Sequence, residues 1–96
     1  MILWIDADSC PRQVRDLVCR AAKRVSADVN FVANRKIPFD PAPHHRMFVC
    51  DATPDAADDY ICENATGGDL VITRDIPLAK RLVTKCVRVI NDRGTV

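Results

Sequence analysis

Asp6 and Asp8 stand two residues apart at the end of the first apolar run, Ile2-Leu3-Trp4-Ile5, and just ahead of Ser9-Cys10-Pro11. Carboxylates at the end of a buried strand are costly unless something positive meets them. One acid here would read as a helix cap; two suit a divalent-metal or phosphoryl-transfer site. Acids recur in two later stretches, at Asp55, Asp58 and Asp59 and then in Thr73-Arg74-Asp75. Asp55, Asp58, Asp59 and Cys62 fall at i, i+3, i+4 and i+7, one stripe of a helix. A helix dipole favours acids in its first turn by roughly 0.3–1 kcal/mol each. That accounts for one or two of these acids and less well for three on one face. Four or five carboxylates converging within ~5 Å repel by about 3 kcal/mol per pair at an effective dielectric near 20. A divalent cation is the simplest remedy, and oxygen-only ligands select Mg²⁺ or Mn²⁺ over zinc. Such an ion activates a water and stabilises the charge on a phosphodiester under attack.

The elements that must position these acids can be read along the chain. Four consecutive apolar residues before Asp6 predict a strand buried on both faces. Pro11 suits the first position of a helix, and Val14, Leu17, Val18, Ala21, Ala22 and Val25 predict its buried stripe. Arg12 and Arg15 lie in that helix's first turn, beside Asp6 and Asp8, where phosphate-binding groups are useful. A second strand is expected through Val29, Phe31 and Val32, and a third over Met47-Phe48-Val49-Cys50. Pro38, Pro41 and Pro43 exclude regular structure between them; His44 and His45 in that loop are read as idle. Pro54-Asp55 opens a second helix with Asp55 as its cap, packing through Ala57, Ile61 and Ala65 and ended by Gly67-Gly68. Asp69 precedes the strand Leu70-Val71-Ile72-Thr73. Pro77 marks a third helix with Leu78, Ala79, Leu82 and Val83 inward and Asp75 as its possible cap. Val87-Arg88-Val89-Ile90 is the last strand, from which Asn91-Asp92-Arg93-Gly94 turns away.

Ninety-six residues, 48% hydrophobic and 28% charged, predict one globular domain over 1–96. No apolar run approaches the roughly 20 residues that span a bilayer, and the start does not resemble a signal peptide, so a cytoplasmic protein away from membranes is expected. The five cysteines form no CxxC pair, which argues against a zinc knuckle; Cys19 and Cys86 are expected to be buried thiols. A net charge of +1 does not by itself announce a nucleic-acid partner. Most of the bases, however, are arginine, the better bidentate phosphate ligand.

The order β-α-β-β-α-β-α-β predicts a three-layer α/β/α sandwich around a mostly parallel, Rossmann-like sheet. Ligands in such folds bind beyond the carboxyl ends of the strands, where the strand order reverses. With the first strand central and the strand after the second helix beside it, Asp6 and Asp8 meet Thr73 and Asp75. The start of the second helix brings Asp58 and Asp59 to the same edge. Asp69 begins its strand and so belongs at the opposite edge; Asp92 is on the right edge but farther out. Arg12, Arg35 and Arg74 are candidate phosphate contacts.

Ala57-Asp58-Asp59-Tyr60-Ile61, Leu70-Val71-Ile72-Thr73-Arg74-Asp75 and Leu82-Val83 resemble the core of PIN-like and flap-nuclease domains. The stretches WIDADSCP, VAN, DAADDYI, GDLVITRDIPLA and NDRG, in that order, are similar to those of the YaiI/YqxD family of small bacterial PIN-like proteins. The resemblance runs from Ile2 to about Gly94. It implies a PIN-like domain that hydrolyses RNA or single-stranded nucleic acid with Mg²⁺ or Mn²⁺. Asp6, Asp58 and Asp75 match the acids of the PIN site; Asp8 and Asp59 would be further ligands or water-positioning groups, with Thr73 supporting the Asp75 turn and grouped with the substrate-side residues. It also implies a C-terminal extension of several dozen residues that this chain, stopping at Val96, does not carry. A homodimer is the expected assembly, since so small a domain offers little surface to grip a long strand.

Two rivals remain. A non-catalytic PIN-like module could bind RNA or protein with the same acids. Ile5-Asp6-Ala7-Asp8 also resembles the first motif of haloacid-dehalogenase phosphatases, with Asp6 as nucleophile. That family wants Thr or Val where this chain has Cys10, and a catalytic lysine for which Lys80, inside a helix, is poorly placed.

Overall fold

In a computed structural model that describes residues 1–37, 42–51, 53 and 55–91, the first apolar run forms β1 (Ile2–Asp6). It is followed by α1 (Arg12–Val25), β2 (Asp28–Ala33), β3 (His45–Val49), α2 (Ala56–Asn64), β4 (Leu70–Ile72), α3 (Ile76–Thr84) and β5 (Arg88–Ile90). The strands make one sheet in the order β3-β2-β1-β4-β5, and every pairing is parallel. β1 is therefore central, as its unbroken apolar run requires, with Ile5 opposite Phe31 on one side and Ile72 on the other.

Alternation along the strands divides the core. Leu3, Ile5 and Ala7 join Val29, Phe31 and Ala33 beneath Val14, Val18 and Ala22 of α1. Trp4, Val32, Val71 and Val89 face the other way, against Ala57 and Ile61 of α2 and Leu78 and Leu82 of α3. The protein is thus a Rossmann-like α/β/α sandwich, with one helix on one face and two on the other. The chain leaves β1 towards β2 on one side and β4 lies on the other, so the strand order reverses between β1 and β4. That is the place where such sheets hold ligands.

Several local expectations shift. β3 starts at His45, two residues before Met47, because the His44 carbonyl already accepts from Val29 N–H. Pro11 is the N-cap of α1, not its first helical residue. The α1 stripe is narrower than expected: Leu17 and Val25 are exposed, as is Ala21. A lone helix over β1 and β2 meets the sheet along the line Val14-Val18-Ala22, and the neighbouring line faces outward. Val83 of α3 is exposed as well. α2 stops at Asn64, with Ala65 as an extended C-cap, so Gly67 and Gly68 form the following turn. Cys86 is exposed in the α3–β5 turn at φ 62, and Cys19 is half-buried; Cys10 and Cys62 are the buried thiols. Pro38, Pro41, Pro54, Asp92 and Gly94 lie outside the described residues. Among the described residues no helix is long and apolar enough to cross a membrane.

Candidate functional site

Asp6 ends β1 and is almost fully buried. Its Oδ2 accepts from Thr73 Oγ1 at 2.7 Å and from Ser9 Oγ at 2.9 Å. Its backbone carbonyl receives the N–H groups of Ser9 and Cys10, which turns the chain towards α1. Burial pushes the Asp6 carboxyl above its ordinary range. The Thr73 and Ser9 hydrogen bonds pull it back, and the Asp8 and Asp75 charges add to the rise.

Thr73 follows β4 and is 2% exposed, so its place is beneath the site and not against a substrate. While its hydroxyl donates to Asp6, it accepts from the Asp75 N–H at 2.9 Å. Asp75 in turn caps α3, its Oδ1 accepting from Leu78 N–H at 3.0 Å. The cap reading and the site reading of Asp75 therefore hold together. Its own helix cap fixes the carboxylate that faces Asp58.

Asp58 lies in the first turn of α2. Its carboxyl is pushed up to about 7 by burial first, then by the charges of Asp75 and Asp6, a hydrogen bond with Asp75, and the charge of Asp55. Asp55 occupies the N-cap position of α2 without a side-chain capping bond, so it adds charge and no cap. Asp6, Asp58 and Asp75 thus converge from β1, α2 and the start of α3.

The remaining candidates are distributed around this centre. Asp8 is exposed at the rim, and its Oδ2 accepts from Asn34 N–H at 2.7 Å. Asp59 is not brought to the cluster: it faces Arg81 of α3 at 3.0 Å. Arg12 and Arg35 are exposed on the α1 side of Asp8, around one cavity, and Arg74 is exposed beyond Thr73 with its N–H donating to Ser9 Oγ. Lys80 lies exposed in α3, which gives the phosphatase rival no catalytic lysine there. Asp69 is buried at the opposite edge, where it accepts from Ile2 N–H, Trp4 Nε1, Thr66 N–H and Thr66 Oγ1.

Two positions here were not among the candidates. Ser9 bonds Asp6 and the Arg74 N–H and lies 3.4 Å from Thr73 Oγ1; its position directly after Asp6-Ala7-Asp8 is the signal in the sequence. Asn34 follows β2, holds Asp8, and donates from Nδ2 to the Thr53 carbonyl. Its buried Oδ1 has no hydrogen-bond partner among the described residues.

The donor set is carboxylate oxygen alone, which fits a hard divalent ion in kind. In spacing the fit is incomplete. Among the described residues no group of three or more His, Cys, Asp or Glu side chains stands ready to hold a metal.

Residues 4–96 match the profile of a family described as uncharacterized, the YaiI/YqxD family. A UPF0178 protein of Treponema denticola is 52% identical over 96 residues, covering 100% of this chain and 61% of its own. One of Treponema pallidum is 53% identical over 96 residues, covering 100% and 54%. A third, of Aliivibrio salmonicida, is 45% identical over 94 residues, covering 98% and 62%. The chain therefore spans between about half and three fifths of the length of these curated relatives. No solved structure matches it.

Proposed function

The chain belongs to the YaiI/YqxD family, and from that premise we propose that it hydrolyses phosphodiester bonds of RNA or single-stranded nucleic acid, using Mg²⁺ or Mn²⁺ at Asp6, Asp58 and Asp75. The observation that carries the reading is the Asp58 carboxyl, raised to about 7 by burial first and then by the charges of Asp75 and Asp6. Three acids from three elements, meeting at the strand-order reversal, make a centre short of positive charge.

In this reading Asp6 and Asp75 are the preset ligands, because Thr73 bonds to both residues and Ser9 and Leu78 add further bonds. Asp58 is the carboxyl that must release its proton to join them. Asp8, held by Asn34 at the rim, orients water, while Asp59 stays with Arg81 outside the ligand set. The bound ion would supply the positive charge that activates water and stabilises the attacked phosphate. Arg12, Arg35 and Arg74 would grip the strand's phosphates, in keeping with their bidentate geometry.

A non-catalytic binding module is the second reading. The absence of a ready three-ligand group among the described residues favours it, as does the direct Asp58–Asp75 hydrogen bond. Calorimetric titration with Mn²⁺ at pH 8 separates the two, comparing wild type with Asp6→Asn and Asp75→Asn. Asparagine at position 75 keeps an oxygen for the Leu78 cap. Binding weakened by about 10-fold or more in both variants, together with Mn²⁺-dependent cleavage of single-stranded RNA that Asp6→Asn abolishes, supports hydrolysis. No metal binding by wild type, or cleavage indifferent to Asp6→Asn, leaves the binding module.

A further inference from the structure

A second feature adjoins the acidic centre on the α1 side of the sheet. A cavity of about 490 Å³ opens beside Asp8, walled by Arg12, Arg15, Arg35 and Lys36, with buried Ile37 behind. Four cations face one carboxylate there, and that carboxylate already accepts the Asn34 N–H. Arg15 is tied in place by bonds from Nη1 to the carbonyls of Ala7 and Cys10. Arg12, Arg35 and Lys36 form no ion pair among the described residues, so their charge is uncommitted. Pro11, also in the wall, begins α1 without a side-chain cap, and the first turn holds no acid. The positive end of the helix dipole therefore adds to the four cations.

The location fixes what this charge can be for. Asp8 and Asp6 are two residues apart, so their α-carbons lie within about 7 Å. An anion in the cavity would sit roughly one nucleotide from a phosphodiester at the acidic centre. A strand passing through presents a singly charged diester. A strand that ends there presents a phosphomonoester, which carries up to two negative charges near neutrality. Four cations around one cavity, three of them in no ion pair among the described residues, match the second better.

We propose that this cavity is a subsite for the terminal phosphate of a nucleic-acid strand, so that the protein engages its substrate at a phosphorylated end. The proposal rests on the nucleic-acid reading of the acidic centre but not on cleavage. It is tested by fluorescence competition in EDTA, where no cut can occur. The probes are a ten-nucleotide single-stranded RNA with a 5′-phosphate, the same strand with a 3′-phosphate, and the strand with hydroxyls at both ends. One phosphorylated strand is expected to bind about 10-fold tighter than the hydroxyl strand, equivalent to about 1.4 kcal/mol. Which strand it is identifies the end. Arg35→Gln and the double variant Arg12→Gln/Arg35→Gln, checked for fold by circular dichroism, should lose that preference and bind all three strands alike. Equal binding of all three strands, no binding of any, or a preference that survives in the double variant overturns the subsite. A phosphate preference without metal-dependent cleavage leaves the subsite standing and removes only the hydrolytic reading; cleavage without the preference does the reverse.

Discussion

In the proposed reaction Asp58 is the residue on which the chemistry turns, because its carboxyl is pushed up to about 7. Its folded-state value of about 7 lies above the ordinary carboxyl value near 3.9. The folded protein therefore holds this proton more tightly than the unfolded chain does. The resulting stability is fully present below about pH 4 and is lost as pH rises through about 7. Asp6 is shifted in the same direction, chiefly by burial. Metal-free protein should thus melt at lower temperature at pH 8 than at pH 5.5, and Mn²⁺ should raise the melting temperature more at pH 8. Asp58→Asn should flatten the pH dependence in EDTA. Thermal unfolding by circular dichroism measures all three, and a wild-type melting temperature indifferent to pH across that window would sink the account. Residue types pointed to Asp6, Asp8, Asp58, Asp59 and Asp75 together, and the family resemblance singled out Asp6, Asp58 and Asp75, whose charges the structure brings near one another. Asp59 misled because i, i+3 and i+4 share one broad face; Arg81 of α3 decides which acid turns outward. Asn34 was invisible, since its role depends on β2 ending beside Asp8.

At the scale of the element, α1 shows where pattern reading stops. Its apolar residues form two adjacent lines, Val14-Val18-Ala22 and Leu17-Ala21-Val25, and periodicity cannot say which meets the sheet. The strand order decides, because a single helix crossing between β1 and β2 presents one line to them. A mostly parallel sheet, by contrast, was legible from unbroken apolar runs separated by helices, and the structure makes every pairing parallel. The ends of α1 and α3 were not, since neither carries glycine at its turn. Ser26 caps α1 in the left-handed region at φ 55, its N–H on the carbonyls of Ala22 and Lys23. Cys86 adopts φ 62 between α3 and β5. A non-glycine residue there costs roughly 1–2 kcal/mol against Cβ contacts. Part of that is offset in the unfolded state, where glycine is the more flexible residue. Ser26→Gly and Cys86→Gly should therefore each raise stability, by up to about 1 kcal/mol in urea unfolding. A loss in both variants would mean that these turns are held by their side chains.

Over the whole molecule the fold is two halves joined along one seam. β1, α1, β2 and β3 make one half, and α2, β4, α3 and β5 the other. They meet where Leu3, Trp4 and Ile5 pair with Leu70, Val71 and Ile72, and α2 also packs over Trp4 and Val32 of the first half. The acidic centre closes the seam at its carboxyl edge, where like charges push the halves apart. Asp69 closes it at the other edge, taking the Ile2 N–H and Trp4 Nε1 of β1 together with the N–H and hydroxyl of Thr66. Burial alone would raise the Asp69 carboxyl, but these donors outweigh it and hold the group below its ordinary range. The sign is opposite to that of Asp58. The stability from Asp69 is present above about pH 4 and disappears as pH falls through its lowered folded value. The two edges thus act in separate pH windows, and the apo protein should be most stable between them, near pH 5. Asp69→Asn removes the charge and sets an amide N–H against other donors, so it should cost about 2 kcal/mol at pH 7. It should also erase much of the acid loss that wild type shows between pH 4 and pH 2.5. Urea midpoints at the two extremes and at pH 7 measure both effects. Parallel pH curves for wild type and variant would show that the seam draws its acid sensitivity from another carboxylate.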